Sequence, residues 1–161
     1  MSKAYLLLGG NLGNKQGNLK FALDHIEKYM GKVVRISSVY HTAPWGFTHE
    51  EAFLNQAVLV QTKYNPQELL EKIISVELSM GRQRDKTKWK ERIIDIDILF
   101  FNDLVIEEGN LKIPHPYIQE RKFALVPLNE IAGEFIHPLL KKTVNRLLEE
   151  CKDKLEVKLH I

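Results

Sequence analysis

A single cysteine, Cys151, in a chain of 161 residues cannot close an internal disulfide. That excludes the disulfide-stapled secreted scaffolds and makes a reducing, cytoplasmic setting the expectation. No stretch approaches the roughly 18–20 apolar residues of a membrane span. The run AYLLL (4–8) gives way to GGNLG and is too short for the apolar core of a secretion signal. The P-loop pattern G-x-x-x-x-G-K-[ST] is missing, so any phosphate is bound by other means. GGNLGN (9–14) also fails G-x-G-x-x-G, and its glycines read as a tight strand-to-helix turn. A large excess of one charge sign is missing as well: the net charge is only +2, so the chain as a whole is no polyanion binder. Repeats, linkers and low-complexity tracts are absent.

What is there is an ordinary globular composition, with 44% hydrophobic and 27% charged residues. It suits one domain over residues 1–161 with a real core. The spacing predicts a strand at 3–8 and a helix with apolar residues at Leu19, Ala22, Leu23, Ile26 and Met30, stopped by Gly31. Strands at 33–41 and 53–63 follow, joined by the loop TAPWGFTHEEA. Asn65-Pro66-Gln67-Glu68 is a capped helix start, with Asn as N-cap, Pro at N1 and Glu at N3. That helix runs to Met80, and Gly81 suits the position after its end. The order β-α-β-β-α-β is the ferredoxin-like arrangement, an α+β class with an antiparallel sheet. Further helices are expected near 119–131 and 144–151, with an edge strand at 155–159.

The segment RIIDIDILFF (92–101) reads as a buried strand with two acids in it. An unpaired buried carboxylate is among the costliest groups to desolvate. Residues two apart in a strand share a face, so Asp95 and Asp97 stand side by side. A divalent cation would remove their repulsion, and carboxylate oxygens suit Mg²⁺, which takes its other ligands from water and substrate phosphates. D-x-D alone is weak evidence, since the same acids could face water or pair with Arg82 or Arg92. The preceding segment RQRDKTKWKER (82–92) sets six cations against two acids, +4 in one stretch. Guanidinium forks beside a metal site are the combination phosphoryl transfer uses. Trp89, in that polar loop, suits stacking on a flat heterocycle.

These residues carry a resemblance. GGNLGN, TAPWG (42–46), FLNQAV (53–58), GRQR (81–84), RIIDIDILFF, IPHP (113–116) and ERKFALVPLNEIA (120–132) together resemble the 6-hydroxymethyl-7,8-dihydropterin pyrophosphokinase family of folate biosynthesis over nearly the whole chain. The resemblance implies a ferredoxin-like fold and transfer of pyrophosphate from MgATP to the pterin hydroxymethyl oxygen, with release of AMP. It implies that Asp95 and Asp97 hold two Mg²⁺ ions. Arg82, Arg84, Arg92, His115 and Arg121 would hold triphosphate oxygens or developing charge, Arg82 and Arg92 acting in catalysis. Asp97 is a candidate acceptor for the hydroxyl proton. Trp89 would close over the site, Glu77 would lie near the adenosine, and Ile98 would meet adenine through its backbone. Phe53 and Phe123 would sandwich the pterin, with Asn55 and the backbone around Thr42, Ala43 and Trp45 reading its edge.

Elementary chemistry agrees with several of these assignments. Phe53 and Asn55 share one strand face, so a ring and an amide can address one ligand. An amide both donates and accepts, as a pterin edge requires. His115 lies between two prolines, whereas His25, His41, His49, His137 and His160 read as ordinary surface or core histidines. Three positions depart from the family pattern: Gly10 for a common serine, Lys90-Glu91 for Gly-Pro, and Tyr117 for an arginine after PHP. The partners expected are the two small-molecule substrates, with neither nucleic acid nor membrane, for a monomer. An RNA-binding module on the same topology is disfavoured by two acids on what would be a central strand. A nucleotide sensor without turnover is the remaining rival, separable by AMP release.

Overall fold

The computed structural model describes residues 1–42, 52–81 and 93–160. Strand β1 (Ser2–Gly10) opens the chain and runs into helix α1 (Lys15–Tyr29). Asn14 caps that helix, its side chain accepting the Gly17 N–H at 3.0 Å. Strands β2 (Lys32–Ile36), β3 (Tyr40–Thr42) and β4 (Phe53–Thr62) follow. The expected single strand over 33–41 is broken because Ser37 interrupts the ladder with its own side chain. Its hydroxyl accepts the Ala57 N–H at 2.9 Å, and the Gln56 side chain donates to its carbonyl at 2.8 Å.

Helix α2 (Pro66–Ser79) has the predicted capping box, with Asn65 and Glu68 exchanging bonds of 2.8 and 3.0 Å. Gly81 just beyond it has φ +91°, the left-handed geometry a glycine adopts at little cost. Strand β5 (Asp95–Phe101) precedes a hairpin that the sequence did not announce, β6 (Ile106–Glu108) and β7 (Leu111–Ile113). A 3₁₀ turn (Ile118–Glu120) leads into α3 (Lys122–Ala132), dividing the expected helix at Arg121. Helix α4 (Val144–Glu150) and strand β8 (Val157–Leu159) complete the described chain.

The sheet order is β5-β1-β4-β3-β8, with β2 also paired to β4, and every pairing is antiparallel. The core order is that of the ferredoxin-like arrangement. It places β5 at the sheet's edge, not in the centre as the comparison with an RNA-binding module had supposed. Helices α1 and α2 cover one face, burying Leu6, Leu8, Val58, Val60, Ile96 and Ile98 against Leu19, Ile26, Leu69 and Ile73. Helices α3 and α4 cover the other, over Leu7, Ala57, Leu59, Leu99 and Phe100. Both faces are therefore apolar, and polar chemistry is left to one end and one edge of the sheet.

Candidate active site

That polar end is built by strand alternation. Ile96 and Ile98 are buried towards α1 and α2, so Asp95 and Asp97 turn to the opposite side and stay half-buried. Residues directly opposite in antiparallel strands share a face. Asp95 lies opposite Gly9, Gly9 opposite Asn55, and Asn55 opposite Tyr40, making one row across four strands. Gly9 is the gap in the row: a Cβ there would stand 2.5 Å from Asn55 Oδ1. Its role is thus more than a turn, because it lets the Asn55 amide lie between the strands.

Four elements meet beside the two aspartates in a cavity of about 260 Å³. Asp95, Ile96 and Asp97 line it from β5; Leu70, Ile73, Ile74 and Glu77 from α2; Asn110 from the β6–β7 turn; His115 and Arg121 from the segment before α3. Glu77 is only 5% exposed and accepts the Ile96 N–H at 2.8 Å. Its carboxylate thereby fixes the strand that carries both aspartates. His115 is anchored through its backbone, donating to the Leu99 carbonyl at 3.0 Å. Its Nδ1 accepts from the Tyr117 N–H at 3.2 Å, which leaves the ring proton on Nε2. Burial, assisted by the Arg121 guanidinium and opposed by the Asp95 carboxylate, holds this imidazole at about 4 instead of 6.5. It is a neutral N–H donor at pH 7.

Two carboxylates on one face beside a cavity with cationic and N–H donors fit Mg²⁺, whose other ligands would be substrate oxygens and water. Among the described residues no group of three or more His, Cys, Asp or Glu gathers to hold an ion.

On the α3 side of the same row stand the residues predicted to hold a flat ring. Phe53 and Asn55 face α3, as Ala57 and Leu59 do further along β4. Phe123 is in the first turn of α3, half-buried against the core, with the Arg121 guanidinium 5.8 Å from its ring centre. Pro127 lies inside α3 and has no N–H to return to the Phe123 carbonyl four residues back. Thr42, opposite Phe53, has a buried hydroxyl with no hydrogen-bond partner among the described residues. A buried polar atom in that state calls for a ligand or water. Tyr40, next in the row, donates to Glu130 at 2.6 Å; burial and this bond push its hydroxyl up to about 12.

The fold thus brings Asp95, Asp97, Glu77, His115 and Arg121 to one cavity. Thr42, Phe53 and Asn55 lie on the α3 face of β3 and β4, and Phe123 is in the first turn of α3. Ile98 is a core residue whose side chain is not part of the cavity lining. Arg82, Arg84, Trp89 and Arg92, with Ala43 and Trp45, lie outside the described residues. Asn110, Leu70, Ile73 and Ile74 were not singled out as site residues. The α2 residues carry the same 3–4 spacing as a core face, and Asn110 sits in the unanticipated hairpin.

Comparison with known proteins shows the family of the chain. The sequence model of the family described as 7,8-dihydro-6-hydroxymethylpterin-pyrophosphokinase matches residues 5–133. A 2-amino-4-hydroxy-6-hydroxymethyldihydropteridine pyrophosphokinase of Methylorubrum extorquens is 42% identical over 137 residues, 84% of this chain and 86% of that protein. The enzyme of the same name from Aquifex aeolicus is 39% identical over 150 residues, 93% of this chain and 92% of its own. The crystal structure of wild-type Plasmodium falciparum HPPK-DHPS with pterin and p-hydroxybenzoate shares the fold, with a TM-score of 0.77 at 22% identity. That match covers 92% of this chain and 43% of the larger one. The row of residues across the sheet end and the cavity beside it are therefore those of a chain that belongs to the 7,8-dihydro-6-hydroxymethylpterin-pyrophosphokinase family.

Proposed function

We propose that the protein transfers the terminal pyrophosphoryl group of MgATP to the hydroxymethyl oxygen of 6-hydroxymethyl-7,8-dihydropterin. A bond forms between that oxygen and the β-phosphorus, the α–β bridging bond breaks, and AMP leaves. The hydroxyl proton goes to a base, for which Asp97 is the candidate. The family match over residues 5–133 supports the reaction. The single observation that carries the site is the convergence of Asp95, Asp97, His115 and Arg121 on one cavity.

In this reading Asp95 and Asp97 hold two Mg²⁺ ions; when bound, the ions neutralise triphosphate charge and align the β-phosphoryl group. Glu77 keeps β5 in place by its bond to Ile96. Neutral His115 presents its Nε2–H to a phosphate oxygen, and Arg121 adds a fixed positive charge. The apolar α2 wall of Leu70, Ile73 and Ile74 suits an adenine face, and the backbone of Ile98 is assigned to adenine on the family resemblance. Phe53 and Phe123 stack on the pterin, while Asn55 and Thr42 take its hydrogen-bonding edge. Arg82, Arg84, Arg92 and Trp89 are assigned to the phosphates and to closure, and Ala43 and Trp45 to pterin binding, on the family resemblance alone. A monomeric active unit is part of the same reading, and the free thiol of Cys151 suits the cytoplasm.

The test is AMP formation from MgATP with and without the dihydropterin. AMP produced only with the pterin, one for each pterin consumed, is the expected result. ATP binding without pterin-dependent turnover would instead identify a nucleotide sensor.

A further inference from the structure

Helix α3 begins without a cap of its own. Its N-cap residue is Arg121, whose side chain has no acceptor and makes no capping bond. The acceptor comes from far along the chain: Asp153 Oδ2 takes the Lys122 N–H at 3.1 Å. The other oxygen of the same carboxylate, Oδ1, takes the Leu155 N–H at 3.0 Å. A negative charge is also what the positive end of a helix favours. Asp153 stands in an extended segment after α4, in which Cys151, Asp153 and Leu155 are half-buried while Lys152, Lys154 and Glu156 are exposed. That segment runs directly into β8, which pairs Val157 with Thr42 and Leu159 with Tyr40 on β3. One carboxylate therefore joins the first turn of α3 to the segment leading into β8, and β8 in turn pairs with the strand bearing Thr42. The far end of α3 is tied to the same region, since Glu130 accepts from Ser38 and Tyr40. Asp153 and β8 lie beyond the residues that the family model matches.

We propose that Asp153 is a positioning residue for the pterin side of the site, holding the first turn of α3 and strand β3 at the separation a flat ring requires. This rests on the reading of Phe123 and Thr42 as pterin contacts. Without the carboxylate the first turn of α3 loses its acceptor and the segment leading into β8 loses the bond at Leu155. The near ends of the two walls then lose their common tie, leaving the Glu130 bonds at the far end of α3, while Asp95, Asp97 and Glu77, on other elements, keep their places.

Asp153→Ala tests this against Asn65→Ala, which removes a cap of the same kind from α2. In Asp153→Ala the KM for the dihydropterin should rise five- to tenfold at saturating MgATP, with the KM for MgATP within twofold. Asn65→Ala should show a comparable loss of Tm and a pterin KM within twofold of the parent. Hydrogen exchange, which needs no turnover, should show lost protection at 122–125 and 40–42 in Asp153→Ala only. Asp153→Asn, keeping one acceptor oxygen, is the milder variant should Asp153→Ala not fold, and a smaller rise in the same KM is expected. An unchanged pterin KM in the folded variants, or a rise matched by Asn65→Ala, overturns the proposal. A wild-type protein with no pterin-dependent turnover would sink the enzymatic reading itself. The exchange data would then still decide whether Asp153 holds the two walls.

Discussion

Lowering the pH of the ligand-free protein from 7 to 4 should cost stability that a His115→Gln variant does not lose. Burial is the chief reason His115 titrates at about 4 instead of 6.5, with Arg121 adding to the fall and Asp95 opposing it. The unfolded chain takes up a proton near 6.5, while the folded chain declines it until about 4. The unfolded state therefore binds more protons in this window, and stability falls as pH falls through it. At about 1.4 kcal/mol per pH unit the whole fall corresponds to about 3 kcal/mol. The ring is partly exposed, and solvent screening brings the expected effect to about 2 kcal/mol. Glutamine cannot take up the proton, so urea titrations of both proteins at pH 7, 5.5 and 4 isolate the contribution of His115. Equal losses in the two proteins at pH 4 would refute the reasoning. So would an NMR titration placing the His115 midpoint near 6.5 in the free protein.

Other perturbations separate the parts of the site. Asp95→Ala and Asp97→Ala should each abolish turnover with little change in Tm, because relief of like-charge repulsion offsets lost contacts; near-normal turnover in Asp97→Ala contradicts the metal assignment. Phe123→Ala should weaken pterin binding by about 1–3 kcal/mol, the scale of one stacking partner. Separate titrations of the two ligands would show equal losses if Phe123 were only a core residue. Gly9→Ala forces Asn55 to move and should raise the pterin KM roughly tenfold, about 1.4 kcal/mol, at unchanged Tm within a few degrees; an unaltered KM would mean that Asn55 does not read the pterin. Glu77→Ala leaves the buried Ile96 N–H without this acceptor and should cost about 1–3 kcal/mol in urea denaturation.

Strand alternation made much of the site legible in advance. The period of two placed Asp95 beside Asp97 and Phe53 beside Asn55, and the structure keeps both pairs on the α3 side of the sheet. The Asn65 cap and the Gly81 stop were readable because they are local chemistry, settled within four residues. Features that depend on distant partners were not. Ser37 breaks the expected strand through bonds to Ala57 and Gln56, which no local pattern announces. The β6–β7 hairpin has strands of three residues, too short for periodicity to register. Gly9 looked like a turn residue, because its neighbour Asn55 is 46 positions away in sequence and adjacent only across the ladder. The ring-binding roles of Phe53 and Phe123 came from the family resemblance; their spacing alone suits a core equally well.

Phosphorus NMR of the wild-type protein with MgATP and 6-hydroxymethyl-7,8-dihydropterin, run beside Asp97→Ala, tests the central claim most directly. In the wild type the ATP resonances should be replaced by those of AMP and a new diphosphate ester, without ADP. In Asp97→Ala they should persist. ADP or inorganic phosphate in the wild-type spectrum, or AMP formed at the same rate by Asp97→Ala, would contradict pyrophosphoryl transfer at the edge of β5.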